Sequence, residues 1–414
     1  MITEKIKKLK LINEFYFFRI IFQISSYFMY SFYLILLYKQ TNDFKVLILD
    51  SIIFYAGGWI GFIFGSVALQ RVGYVNTFRL SFIFTAIAGI AILVSIPQIA
   101  LLFPLLSLLR GFGRGIFWPV YHTYTLKEFN VGERGNIISI VTSTNLLLDI
   151  AFPVLVGTLI SYSGDYVLIY IIGSAILLTS VLVKFGYNKM PSTKITSQEI
   201  SNILKDKVFV KFAILTIFDQ IAWIVVAFTI LILPFIFTKN EGDAGAIMSI
   251  VNLIAAIIAF TQRKAIVRKS IGLSKFGYIF GLLSAIVLIY FWNVIGLTIS
   301  MILMILCVSL RDPLEEKLVV YIKQIILDKL KNQSAIEMNM IMESIYLIGR
   351  TIGLIIFLLS FIFINNSDNV FKIFILISSL WGFINIYFLL RITRKHKKEL
   401  VEMTISSNDN SILR

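Results

Sequence analysis

Unbroken apolar runs organise this chain. Twelve of them, at about 15–38, 46–70, 78–97, 99–122, 137–161, 166–184, 208–237, 244–262, 272–291, 294–320, 337–363 and 370–391, are separated by short polar segments. Each is long enough to cross a ~30 Å hydrocarbon layer as a helix rising ~1.5 Å per residue. The runs are continuous rather than alternating, which excludes a transmembrane β-barrel. The pattern predicts an all-α polytopic membrane protein with twelve transmembrane helices. The first run is too long for a signal-peptide core and no small-residue cleavage site follows it, so it reads as a retained helix.

Composition strengthens this picture. Of 414 residues, 58% are hydrophobic and 15% charged, against about 45–50% and 25% in a soluble domain. The mean hydropathy is +0.87. Such a chain cannot cover its own core with polar surface, which rules out a cytosolic enzyme or a disordered protein. The single cysteine, Cys307, excludes a disulfide framework and a cysteine-based zinc site. The two histidines, His122 and His396, lie far apart, so neither a metal site nor a cofactor is expected.

The formal charge of +15 would suggest nucleic acid in a soluble protein, but its distribution says otherwise. With both termini placed in the cytoplasm, 29 of the 38 Lys and Arg fall on the inner side. Four fall outside, Lys39, Lys45, Lys239 and Lys372, and five lie within spans. This is the positive-inside pattern of an integral protein of the plasma (inner) membrane, and it requires an even number of spans. That bias accounts for the basic charge without nucleic acid, and attraction of the inner surface to anionic lipid is its by-product.

The longest cytoplasmic connection, from Lys184 to Lys211, lies near the midpoint and parts the spans six and six. The expected units are residues 1–184, a linker at 185–207, residues 208–391 and a tail at 392–414. Weak similarities recur about 200 residues apart, as an internal duplication would leave them. Phe22–Ser25 parallels Asp219–Ala222, Arg71-Val72-Gly73 parallels Ser270-Ile271-Gly272, Leu109-Arg110 parallels Leu310-Arg311, and Gly157 parallels Gly353. Parallel six-helix halves with a site between them at mid-membrane are one architecture of secondary transporters.

On these features the chain resembles the major facilitator superfamily along essentially its whole length. The second-loop signature of that family, G-x-x-x-D-R-x-G-R-R, is matched at Arg71 and Gly73, with Gln70 in place of the acid and no basic pair after the glycine. Arg110-Gly111-Phe112-Gly113-Arg114-Gly115 is similar to its span-4 signature, and Gly132-Glu133-Arg134-Gly135 to the segment before span 5. The Gly-Pro antiporter signature of span 5 is not met, because Phe152 precedes Pro153. The resemblance implies two pseudo-symmetric six-helix bundles that rock by alternating access. It also implies inside-closed contacts held by Arg71, Gly73 and Arg134.

Ionisable residues inside the spans carry the remaining signal. Each costs ~2.5–3.5 kcal/mol at the bilayer centre and needs a partner or a wet cavity. Arg110 in span 4 lies about 17 Å deep and Asp149 in span 5 at a similar depth, so they form an expected pair. Arg114, four residues from Arg110 on the same face, leaves a positive surplus suited to an anionic group. Asp219 and Arg350 form the matching expected pair in the second half. Arg311, Asp312, Glu315, Glu316 and Glu343 read as a gate or structural network at the cytoplasmic end. Asp50 is expected to be wet, near the outer end of span 2, and Arg19 to snorkel inward. The opposing reading is that these pairs serve packing alone. A carboxylate whose hydration changes as the protein rocks also suits proton coupling, and Asp149 and Asp219 are the candidates. Gln23, Tyr27 and Tyr30 share one face of span 1. By resemblance, Tyr30, Trp118 and Trp223 line the central cavity. Gly57, Gly61 and Gly65, and Gly349 and Gly353, recur every four residues as close-packing faces.

Neither a Gly-Lys dipeptide nor an HExxH is present, and histidine is too scarce for a Ser-His-Asp arrangement. The reading is therefore a transporter rather than an enzyme: a monomer that moves a small molecule on an ion or proton gradient. Proton-coupled export of an amphipathic compound and uptake of a small anion both fit. A scaffold or sensor with this architecture that transports nothing is the alternative, to which the loss of the acid at Gln70 is suited.

Overall fold

The computed structural model describes residues 2–128, 131–183, 201, 203–308, 310, 335–364 and 367–395. Every regular element among them is helical. In chain order they are α1 (Ile2–Ser26), α2 (Tyr33–Thr41), α3 (Phe44–Ser95), α4 (Ile99–Glu128), α5 (Val131–Ser163), α6 (Val167–Val181), α7 (Lys207–Thr238) and α8 (Glu241–Tyr290). Then follow α9 (Val294–Val308), α10 (Ala335–Phe363) and α11 (Ser367–Lys395). Among the described residues, six helical stretches have the length and apolarity to cross a membrane, the longest being Phe44–Thr125 at 82 residues.

Two of the helices fold back on themselves. A straight helix the length of α3 would extend about 78 Å, yet the rings of Phe64 and Phe84 are 6.2 Å apart. The reversal is at Gly73, whose φ of 81° and ψ of 179° lie in a region essentially closed to residues with a Cβ. Similarly, Phe237 precedes α8 and Trp292 follows it, but their rings are 5.2 Å apart. Between α1 and α2 a single π-helical turn, Tyr27–Ser31, interrupts the α-helix. Such turns re-aim side chains and concentrate at functional sites.

One turn geometry occurs twice. Asn42 ends α2 in the left-handed conformation (φ 48°), and Lys239 ends α7 in the same way (φ 58°). Each amide N–H bonds the carbonyl four residues back at 2.7 Å. In each case the next residue, Asp43 or Asn240, caps the following helix with its side chain. These turns lie about 200 residues apart, the spacing of the sequence similarities.

The glycines spaced by four form contact faces. A Cβ at Gly57, Gly61 or Gly65 would run into the backbone of Leu108, Phe112 or Ile116, and one at Gly111 or Gly115 into Phe54 or Gly58. The backbones of α3 and α4 therefore touch. Gly349 and Gly353 of α10 lie as closely against Ile217 and Ile221 of α7. Contacts between the first six helices and the later ones run through α5 with α8, α3 and α4 with α10, and α2 with α7. Gly157 lies against the Glu241 carbonyl, Gly245 against that of Pro153, and the Trp59 indole donates to Ser344 Oγ at 2.9 Å.

Phe15, Phe18, Phe22, Phe78, Phe117 and Tyr121 stack in the interior. Leu101, Leu147 and Leu182 face outward and are at least two-thirds exposed. An apolar exterior of this extent is suited to lipid rather than water.

Candidate functional site

Glycine-mediated contact of α3 with α4 sets the first feature of the site. It brings Asp50 against Arg110, whose Nη2 lies 2.7 Å from Asp50 Oδ2. Ser107 Oγ donates to the other carboxylate oxygen, and the guanidinium lies 3.4 Å over the Tyr33 ring. Asp50 is 1% and Arg110 3% exposed. This corrects two expectations. Arg110 pairs with Asp50 rather than Asp149, and Asp50 is dry rather than wet. Asp149 is on α5 and turns toward α1, where Gln23 Nε2 donates to its Oδ1 at 3.0 Å.

Beside this pair opens a cavity of about 580 Å³ lined from both parts of the chain. α1 and its π-turn contribute Gln23, Tyr27 and Tyr30; α3 contributes Tyr55; α4 contributes Arg114 and Trp118. The opposite wall is Trp223 of α7 and Glu343, Tyr346 and Arg350 of α10. Gln23 also donates to the Tyr27 hydroxyl at 3.2 Å. Tyr30 is buried, with its hydroxyl toward Thr85 and the Arg110 carbonyl.

Arg114 is one turn from Arg110 in a different environment. Its guanidinium lies 5.3 Å from the Tyr30 ring centre and 5.8 Å from that of Phe54, and among the described residues no carboxylate pairs with it. Arg350 has partners: Gln220 Oε1 accepts from its Nε at 2.8 Å, and Glu343 lies 3.7 Å away. It also lies 5.1 Å over the Tyr55 ring of the opposite wall. The expected Asp219–Arg350 pair is therefore replaced by Glu343–Arg350. Asn385 Nδ2 donates to Asp219 at 3.0 Å, and Asp219 faces a separate pocket of about 30 Å³ shared with Trp223, Cys307 and Trp381. With two acids and three arginines along its wall, the central cavity keeps one surplus positive charge, at Arg114.

Among the expected gating residues, Arg71 is exposed beside the Gly73 reversal. Arg134 is in α5, but its side chain lies outside the described residues, as do Arg311 and Asp312 altogether. Glu343 belongs to the cavity wall rather than to an inner network. Arg19 does not snorkel: its guanidinium lies 5.3–5.8 Å from the ring centres of Phe22, Trp118 and Tyr121.

Several residues of the arrangement were not singled out from sequence. Asp50, read from sequence as wet, was not seen as a partner of Arg110, although it shares a helix face with Gly57 and Gly61 at i+7 and i+11, and this marks it as facing a neighbour. Another set closes the end of the molecule that carries the two matching turns. Lys39 Nζ lies 2.8 Å from Glu241 Oε1, and the Tyr166 hydroxyl donates to the same oxygen at 2.7 Å. Beside them Phe44 packs on Phe361 and Phe371. Single charges beside turns carry no sequence signal for such a closure.

The profile of the Major Facilitator Superfamily matches residues 16–312. No curated protein sequence matches the chain. Among solved structures, it is similar to the peptide transporter POT in complex with sulfate, at a TM-score of 0.68 and 16% identity over 93% of this chain and 95% of that one. It is also similar to a POT family transporter in complex with 5-aminolevulinic acid (0.68, 13%, 92% and 96%) and to one in complex with a thioalcohol-conjugated peptide (0.66, 14%, 92% and 96%). At these identities the likeness is one of fold.

Proposed function

This chain belongs to the Major Facilitator Superfamily, and on that premise we propose that it is a secondary transporter whose central cavity takes a small molecule bearing an anionic group. It is an integral membrane protein. The observation that carries the substrate reading is Arg114, a guanidinium in an aromatic-walled cavity without a carboxylate partner among the described residues. A cation in such a low-dielectric place needs water or a counter-charge, and a planar guanidinium suits a carboxylate or phosphonate. Trp118, Trp223 and Tyr55 supply apolar surface for the rest of the molecule.

The architecture we propose has twelve crossings in two six-helix bundles, 1–184 and 208–391, joined by the linker 185–207 and followed by the tail 392–414. The fold-backs of α3 and α8 and the repeated turn after α2 and α7 support it. Both termini lie in the cytoplasm, the protein acts as a monomer in the plasma membrane, and a proton or other ion drives the cycle. With that orientation the Lys39–Glu241–Tyr166 closure is external and the conformation inward-facing.

The test is counterflow in proteoliposomes holding the full chain, with 5-aminolevulinic acid and a dipeptide as labelled probes, since similar folds bind such molecules. Uptake of either probe, lost with Arg114→Ala and partly retained with Arg114→Lys, is expected. Full uptake by Arg114→Ala would overturn the anion reading.

A further inference from the structure

We propose that Asp149 is the carboxylate that binds the driving proton, and that Gln23 and Arg19 couple its charge to the substrate cavity. This rests on the transport reading above and deepens it. Three carboxylates lie in or beside the cavity, and they differ in what holds them. Asp50 is dry and bound to Arg110 and Ser107. Glu343 has Arg350. The side chain of Asp149 accepts a hydrogen bond from a neutral amide, Gln23 Nε2, at 3.0 Å. A neutral amide serves the carboxylate and the carboxylic acid alike, so a proton can arrive without breaking a direct ion pair.

Several polar groups around Asp149 can be named. α1 presents Arg19 and Gln23, Tyr27 of the π-turn hydrogen-bonds Gln23, and α8 presents Asn252, which is uncharged; α6, which also packs on α5, carries Tyr170 as its one titratable side chain. The charge of Arg114 of α4 also acts on Arg19. Arg19 is the cation whose field reaches Asp149, yet among the described residues its Nε and Nη1 are buried without a hydrogen-bond partner. It is held instead among three aromatic rings. Arg19 therefore compensates Asp149 at a distance. When Asp149 is neutralised, Arg19 joins Arg114 as a cation without a carboxylate partner among the described residues, and the attraction of the cavity for an anion rises. By linkage, a bound anion favours the proton by the same factor.

The location joins this charge to movement. Gln23 and Tyr27 line the cavity, so the hydrogen bond on Asp149 runs to the substrate wall. The backbone carbonyl of Asp149 accepts from Asn252 Nδ2 at 2.8 Å, where α5 meets α8 of the other half. Two halves rocking about this contact change the wetting of the carboxyl group.

The experiment is an infrared pH titration of the full-length chain in nanodiscs, following the carbonyl stretch of protonated carboxylic acids, with wild type compared to Asp149→Asn. A band that titrates in wild type and is missing from Asp149→Asn is expected, and Gln23→Leu, which keeps the acid, moves its midpoint. A wild-type titration reproduced by Asp149→Asn overturns the proposal, as does an unmoved midpoint in Gln23→Leu. A second arm uses proteoliposomes with 5-aminolevulinic acid as probe. There the accumulation that a pH gradient drives, taken relative to each protein's own counterflow, falls about tenfold in Asp149→Asn, a mid-range coupling between two sites. Undiminished pH-driven accumulation overturns the proposal while leaving transport intact. No uptake by wild type counts against the transport reading instead, and the infrared titration still decides the protonation of Asp149.

Discussion

Asp50 and Arg110 leave water together, and each depends on the other. Removing one partner of a buried pair leaves an uncompensated charge, at a cost of about 3–5 kcal/mol, whereas an apolar replacement of both is far milder. Asp50→Asn is therefore expected to lower the unfolding free energy of the purified protein by that amount. Asp50→Leu combined with Arg110→Met should recover most of it, and denaturant titration in detergent measures both. The same residues show where sequence reasoning stops. Depth in the membrane is legible from position in a helix, and it places Arg110, Asp149, Asp219 and Arg350 inside apolar spans. Which helix each one faces is set by tertiary packing, so both expected pairs had the wrong partner. The surplus cation at Arg114 was legible, because two arginines at i and i+4 outnumber any single acid. Its neighbours Tyr30 and Trp118 are at the cavity, whereas Asp219 faces a different pocket.

The helices were legible as elements because apolar runs of this length have one backbone solution in lipid. Their glycines were legible too, since a four-residue spacing puts them on one face, and α3–α4 and α7–α10 meet there. The π-turn at Tyr27–Ser31 was not, for nothing in its residues distinguishes it from the α-helix around it. The reversal at Gly73 gives a physical reason for the glycine of the Arg-x-Gly segment. Gly73→Ala forces a Cβ into a region of backbone space that costs ~1–3 kcal/mol, and a lower midpoint in a thermal-unfolding scan checks it. Gly57→Val should do more than destabilise: it pushes α4 off α3 and separates Asp50 from Arg110. The expected sign of the latter is a loss of stability that adding Asp50→Asn does not deepen, read as non-additivity in a double-mutant cycle.

The proposed architecture repeats itself across the whole molecule, and in sequence that repeat is visible only as scattered short similarities. The matching left-handed turns at Asn42 and Lys239 strengthen it, because a backbone conformation persists after the residues that form it have diverged. The closure at that end joins α2 and α6 to α8 through Glu241. Lys39 is half exposed, so the ion pair itself supplies at most ~1 kcal/mol and its loss shifts a two-state population about fivefold. Glu241→Ala is expected to lengthen the distance between spin labels at Thr41→Cys and Asp243→Cys in a minority of molecules that becomes several times larger. An unchanged distance distribution would remove Glu241 from the gate. The central claim is that one cavity is reached alternately from the two sides of the membrane, and Ser31 lines that cavity. The direct measurement is labelling of Ser31→Cys, in a Cys307→Ser background, by a membrane-impermeant thiol reagent in right-side-out and inside-out vesicles. Labelling from both sides, with the outside reaction abolished when Lys39→Cys and Glu241→Cys are bridged by a bifunctional thiol cross-linker, is the expected result. Labelling from one side alone, whatever the state of that cross-link, would contradict it.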